Sequence, residues 1–312
     1  MKRGCVIGYD INEKGCQISY YDDSMEEPDT MMASSNNYLI PLVLGYFKDR
    51  WVFGKEAKRL AVVGEDCTET DLYGKAKRRE KVSLAGKTYD AVWLLAKYIS
   101  LTLQDFENIQ YLTFTTPETD VDMAKMLKGI GQHIGVDKEI INVQDYKESF
   151  CQYMIFQPKE LWQYESALFY CDEDRIKAYM LRRLRVDASH GMNSFVTVDE
   201  VANAQRKELE ALYPIMNKEK SPDESFKSMI ENVFEKKVIS SVYLTGEGFE
   251  KNWYPNSLRV LCNGRRAFMG NNLYSKGACY KSIRKCEPND DGPIYLDETK
   301  LTERICLRMR VD

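Results

Sequence analysis

The sequence predicts an α/β protein assembled from two similar halves, on three observations. First, a strand–turn–strand hairpin opens each half. Residues 4–22 run Cys5-Val6-Ile7-Gly8-Tyr9-Asp10-Ile11, then the turn Asn12-Glu13-Lys14-Gly15, then Cys16-Gln17-Ile18-Ser19-Tyr20-Tyr21. Residues 166–181 run Ser166-Ala167-Leu168-Phe169-Tyr170-Cys171, then Asp172-Glu173-Asp174, then Arg175-Ile176-Lys177-Ala178-Tyr179-Met180-Leu181. Second, short apolar runs alternate with amphipathic helical stretches behind the hairpins, as expected for helices packed on a largely parallel or mixed sheet. Third, 312 residues with 44% hydrophobic content can bury a large core in one to three domains.

The elements follow in order. Residues 22–37 are polar and acidic and read as a loop. Leu39 to Leu44 and Trp51 to Gly54 read as a strand pair around Lys48-Asp49-Arg50, and residues 55–63 as a short helix. Between residues 89 and 106, Val92, Leu95, Ala96, Ile99, Leu103 and Phe106 recur at helical spacing, with Asp90 as the N-cap. Residues 109–115 are a buried strand ending at Thr116-Pro117. Residues 121–134 are a helix, 140–143 a short strand and 146–156 a helix.

In the second half, residues 198–216 read as a polar helical stretch. Ser221-Pro222-Asp223-Glu224 is a helix start of capping-box type, with proline at the first helical position, for a helix to Lys236. Residues 239–244 are a strand, 245–249 a loop, 260–262 a short strand and 272–283 a helix. Residues 286–292 read as a linker. Residues 294–312 alternate like strands and stop abruptly, so a fragment or an incomplete last β element is expected.

Composition excludes several classes. A net charge of −4 gives no reason to expect nucleic acid, and the basic runs at 75–79 and 182–185 read as solvated faces. No run of about 18 apolar residues exists, so no membrane span is expected. The N-terminal apolar run is too short for a signal peptide. Nine scattered cysteines without a C-x-x-C pair read as reduced thiols in a cytoplasmic protein. With only His133 and His190 present, a histidine-based metal site or triad is not expected.

The collinear motifs resemble the nucleotide-binding domain of Hsp70, within the actin/Hsp70/sugar-kinase superfamily. Val6-Ile7-Gly8-Tyr9-Asp10-Ile11 looks like its first phosphate strand. Leu39-Ile40-Pro41 through Phe53-Gly54-Lys55-Glu56-Ala57-Lys58 is similar to the P-S-x-V … G-x-x-A-K segment. Val82 to Tyr89 matches a further stretch. Leu112-Thr113-Phe114-Thr115-Thr116-Pro117 resembles V-I-T-V-P, and Ile134-Gly135-Val136 the A-G-L turn. Glu148-Ser149-Phe150 falls where E-P-T-A-A would. Leu244-Thr245-Gly246-Glu247-Gly248 resembles the adenosine motif L-x-G-G, and Lys276-Gly277-Ala278 the A-x-G-A helix.

The resemblance covers about residues 4–285 and implies a duplicated, actin-like ATPase (ribonuclease H-like) fold with two lobes around a central cleft. The first lobe would span 1–160 with an inserted subdomain at about 39–105. The second would span 161–285 with a reduced outer subdomain at about 186–220. Residues 286–312 would be a linker and the start of a C-terminal β segment. A divergent bacterial branch is implied.

The same resemblance implies ATP or ADP with magnesium as ligand. It makes Asp10 the residue that orients the metal through water, with Glu148 the second catalytic carboxylate. Asn12 and Lys14 would meet phosphate, and Gly246 and Gly248 the adenosine. The turns depart from the family pattern. Glycine-rich phosphate turns let backbone N–H groups approach the phosphates. Here Asn12-Glu13-Lys14 replaces G-T-T, and Glu13 sets a negative charge where phosphate would lie. The second turn replaces D-x-G-G-G-T with Tyr170-Cys171-Asp172-Glu173-Asp174-Arg175 and keeps no glycine.

Local readings compete with these roles. Glu148 fits equally well as an exposed glutamate at a helix N-terminus. Gly246 and Gly248 fit a tight strand-to-helix turn as well as a nucleotide contact. Asp172 and Asp174 fit a solvated turn better than a cation site. Lys75 and Lys77, near the family's catalytic lysine, read as surface charges. The reading favoured is a catalytically impaired pseudo-ATPase that acts as an interaction or scaffold module with a protein partner. The alternative is an ATP-hydrolysing chaperone-like or actin-like enzyme with a rearranged cleft. A small-molecule kinase ranks last, because the stretch at 186–220 is short for a substrate subdomain.

Overall fold

A computed structural model describes residues 4–34, 37–63, 67–172, 175–184, 194–205, 221–287 and 292–297. The chain is α/β, and it divides into two units: Met1–Phe156 with Gly270–Asp290, and Gln157–Met269 with Asp291–Asp312.

The first unit begins with the hairpin Cys5–Ile11 (β1) and Gly15–Tyr21 (β2), whose register pairs Asp10 with Gln17 and Ile11 with Cys16. Asp29–Thr30 (β3) and Ile40–Pro41 (β4) both pair with β2. The next hairpin is Leu44–Phe47 (β5) against Arg50–Phe53 (β6), later than expected for the first strand. Its turn is Lys48-Asp49, both at positive φ (49° and 58°). Two such residues suit the twist of a two-residue hairpin. Gly54–Val63 (α1) follows, then Thr68–Glu69 (β7) on β5, Leu72–Lys77 (α2), and the hairpin Lys81–Leu84 (β8) with Lys87–Asp90 (β9). Ala91–Thr102 (α3) starts at Asp90, whose carboxylate accepts from the Val92 and Trp93 amides. Ile109–Thr116 (β10) leads to Val121–His133 (α4), capped by Asp120. Ile141–Asp145 (β11) then leads to Tyr146–Ile155 (α5), capped by Asp145.

The first sheet has the order β11-β10-β1-β2-β3. β10 and β11 run parallel to β1, whereas β2 is antiparallel to it. Strand alternation gives the sheet two different faces. Ile7, Tyr9, Ile18, Leu112 and Phe114 point into an apolar core with residues of α3 and α4. Gly8, Asp10, Ser19, Thr113 and Thr115 point the other way.

The second unit carries Glu165–Cys171 (β12), Arg175–Leu184 (β13), Phe195–Gln205 (β14), Pro222–Phe234 (α6), Ile239–Thr245 (β15), Pro255–Leu261 (α7) and Arg266–Met269 (β16). Its sheet order is β16-β15-β12-β13-β14, with β15 and β16 parallel to their inner neighbours and β13 antiparallel to β12. Over these five strands, order and direction repeat those of the first sheet. Phe169, Ile176, Met180, Phe226, Leu244 and Phe249 share its core. Leu273–Cys286 (α8) belongs to the first unit, and Ile294–Tyr295 (β17) pairs with β14 of the second.

Two sequence expectations are corrected here. The helical stretch expected over 198–216 is strand as far as Gln205; residues 206–216 lie outside the described residues. Val196 and Val198 are buried in alternation, and near a shift in register the exposed Asp199 and Glu200 pair across the sheet with Arg182 and Lys177 at 3.3 and 3.5 Å. Cross-strand ion pairs of this kind mask a strand as a polar segment. The strand expected at 260–262 ends a helix instead. Pro255 enters α7, and the buried Asp223 carboxylate accepts from the Asn256 and Ser257 amides at 2.8 Å each. That interaction meets helix donors that would otherwise be orphaned. Most of the β segment expected over 294–312 lies outside the described residues. Among the described residues no helix is long and apolar enough to cross a membrane.

Candidate functional site

The polar face of the first sheet is built around Asp10. Its place near the C-terminal end of β1 puts it between Gln17 on β2 and Thr115 on β10. It is 3% exposed. Burial raises its carboxyl pKa to about 7, partly opposed by a hydrogen bond from Tyr146. An ionised carboxylate without solvent is costly, so loss of water outweighs one donated hydrogen bond.

Tyr146 reaches Asp10 because of where α5 begins. Asp145 ends β11, pairs with Thr116 of β10 and caps α5 through the Glu148 amide at 2.8 Å. Tyr146 is therefore the first helical residue, beside the strand ends. Its hydroxyl donates to Asp10 Oδ1 at 2.8 Å and accepts from Asn12 Nδ2 at 3.0 Å. Its ring stacks on Tyr274 of α8, with centroids 3.7 Å apart and planes 7° from parallel.

The other end of the Asn12 carboxamide closes the first turn. Asn12 Oδ1 accepts from the Lys14 and Gly15 amides at 2.9 and 3.2 Å, and the Asn12 amide donates to the Gly15 carbonyl at 3.0 Å. Asparagine satisfies a turn with its own side chain in this way. The far side of the turn is also packed. The Leu42 amide donates to the Lys14 carbonyl at 3.1 Å, and a Cβ on Gly15 would lie 2.4 Å from the Ile40 carbonyl. Glu13 and Lys14 are exposed at the tip.

Glu148 is 3% exposed and paired with Lys281 of α8, Oε1 to Nζ 3.0 Å. This corrects the exposed-helix-end reading. At the next residue, Ser149 Oγ lies 2.7 Å from Thr115 Oγ1 and accepts from Gln144 Nε2 at 2.6 Å. α8 approaches this layer at backbone distance. A Cβ on Gly277 would fall 2.0 Å from the Ser149 carbonyl, and one on Gly8 2.1 Å from the Ser275 carbonyl. Hydroxyls fill the remaining space, with Ser19 to Ser275 at 2.8 Å and Thr113 to Ser282 at 2.7 Å. Lys75, half-exposed, is paired with Glu69 at 2.8 Å.

In the second unit, Gly246 and Gly248 lie against the turn of the second hairpin. Gly246 has φ +99°, which side-chain-bearing residues rarely adopt, and a Cβ there would meet the Cys171 carbonyl at 2.1 Å. A Cβ on Gly248 would meet Cys171 Sγ at 2.3 Å. The Gly248 carbonyl accepts from Trp253 Nε1 at 2.7 Å. Asp172 closes the hairpin by accepting from the Arg175 amide at 2.7 Å. Asp174 lies outside the described residues. Among the described residues no group of three or more His, Cys, Asp or Glu could hold a metal ion.

The structure thus brings Asp10 and Asn12 together with Tyr146, sets Glu148 against Lys281 on the same helix pair, and leaves Lys14 at an exposed tip. Gly246 and Gly248 belong to the other unit. Tyr146, Tyr274 and Lys281 escaped the sequence reading. For Tyr146 a signal existed: Asp145-x-x-Glu148 marks a helix start directly after a strand parallel to the one beside Asp10.

The model of the C-terminal part of a family of unknown function (DUF5716) matches residues 27–298, well over half of the chain. The chain belongs to that family. No curated protein matches it.

Proposed function

We propose that the chain is a divergent relative of the actin/Hsp70-like domains in which the ATPase chemistry is impaired, and that it serves as an interaction or scaffold module. The repeated strand order and directions of the two sheets support a duplicated fold of that kind. Fold alone does not assign activity, so the functional reading rests on the site.

One observation carries it: the first turn is satisfied by its own side chains. Turn amides attract anions when they are free to point at them. Two of these amides already donate to Asn12 Oδ1. Asp10, the residue that would orient a metal-bound water, is buried beneath the Tyr146 hydroxyl, and burial raises its carboxyl pKa to about 7. Glu148 is neutralised by Lys281. This donor set does not fit a magnesium nucleotide, and no step through one is derived. With hydrolysis disfavoured, what the fold still offers is surface, and a protein partner is the occupant proposed.

Titration calorimetry with Mg-ATP and with Mg-ADP tests the reading. The expected result is no heat at millimolar nucleotide. Micromolar binding that weakens in Asp10→Ala would overturn it and favour the ATP-hydrolysing alternative.

A further inference from the structure

We infer that the first hairpin turn is self-liganded: the Asn12 carboxamide and the Tyr146 hydroxyl together occupy the positions an anion and its counter-group would need, and they hold the turn closed without any ligand. This rests on the reading that the site does not take a nucleotide, and it names the two side chains responsible.

The geometry has three parts. Asn12 Oδ1 takes the Lys14 and Gly15 amides, the donors that consecutive residues of such a turn would offer an anion. Asn12 Nδ2 donates to Tyr146, whose own proton goes to Asp10. The chain of bonds therefore runs from turn amides to Asn12, to Tyr146, to Asp10, from an exposed tip to a buried end. Tyr146 is in turn held by the stack on Tyr274. On the opposite side, Gly15 packs on the Ile40 carbonyl and Lys14 is bound through its carbonyl by Leu42, so the turn cannot open away from Tyr146 without breaking those contacts as well. Opening demands that Asn12 leave the two amides and the Tyr146 hydroxyl. Each lost hydrogen bond has a modest cost, and water replaces part of it at the exposed Lys14 amide, so the closed turn is favoured by the sum of several modest bonds.

Amide hydrogen exchange of the full chain, read residue by residue by NMR, tests this. In the wild type, the Lys14 and Gly15 amides should exchange slowly, and millimolar pyrophosphate with magnesium should not change them. In Asn12→Ala both should exchange about three- to tenfold faster, the equivalent of one modest hydrogen bond. Asn12→Asp, which keeps the acceptor, should remain near wild type. The β1–β2 ladder amides should be unchanged in each. Should Asn12→Ala not fold, Asn12→Gly removes the same acceptor in a turn-compatible residue. In Asn12→Ala combined with Tyr146→Phe, pyrophosphate should slow the two amides again.

Wild-type rates in Asn12→Ala overturn the inference. So does a pyrophosphate response in the wild type, or none in the double variant. Nucleotide binding elsewhere in the wild type, with these two amides unaffected, overturns only the functional reading.

Discussion

Asp10 is the sharpest test of the physical account. Its carboxyl titrates near 3.8 in an ordinary setting and near 7 in the fold, because burial disfavours the charge. The folded state therefore holds a proton more tightly than the unfolded chain. The contribution of this group to stability is fully present below pH 3.8, falls as pH rises between 3.8 and 7, and is flat above. Asp10→Asn keeps the volume and an oxygen to accept from Tyr146 but cannot ionise. For that pair of pKa values, the wild type loses roughly 2–3 kcal/mol between about pH 5 and pH 8 that the variant does not lose. The stability of Asp10→Asn relative to wild type should rise by that amount. In a unit of this size the gain is roughly 5–10 °C in melting temperature. Thermal unfolding at both pH values, followed by tryptophan fluorescence, reads it. All other titrating groups cancel in the difference. A gap that is constant from pH 5 to pH 8, or that widens in favour of the wild type, refutes the claim that desolvation controls this carboxyl.

Two further changes probe the packing around it. Gly277→Ala puts a Cβ within 2.0 Å of the Ser149 carbonyl, where only backbone movement of α8 or α5 makes room. A loss of about 2 kcal/mol or more in urea denaturation is expected, against the gain of about 1 kcal/mol when alanine replaces an unconstrained helical glycine. Lys281→Met removes the cation paired with the buried Glu148 carboxylate and should cost about 2–4 kcal/mol, with Glu148→Gln in the same chain recovering a large part. Denaturation of the single and double variants measures that coupling.

Much of the fold was legible because the relevant signals are local. The Asp90 N-cap and the Ser221/Glu224 capping box lie within a few residues of what they satisfy, and both appear as read. The β14 strand was not legible, because its outward Asp199 and Glu200 are explained only by Arg182 and Lys177 on another strand. The strand Arg266–Met269 was missed for a similar reason: it is short, largely exposed and defined by pairing with β15. At the site, Asp10 was visible as a carboxylate in an apolar strand. What it touches was not. Tyr146 is 136 positions away along the chain, and no period or spacing connects the two.

The glycines make the wider point about motifs. A glycine in a phosphate-loop resemblance invites the inference that a ligand comes close to the backbone there. In this chain the close approach is made by the protein at four of the motif glycines: Gly8 by the Ser275 carbonyl, Gly15 by the Ile40 carbonyl, Gly246 by the Cys171 carbonyl and Gly277 by the Ser149 carbonyl. Each of these requires a missing Cβ whether or not anything binds. The motif glycines therefore report the crossing of strand, helix and turn, which is a property of the fold. Evidence for a ligand has to come from groups whose hydrogen-bonding capacity the fold leaves over. At the first turn, Asn12 has taken up two of the amides, so those amides are not among the capacity left over.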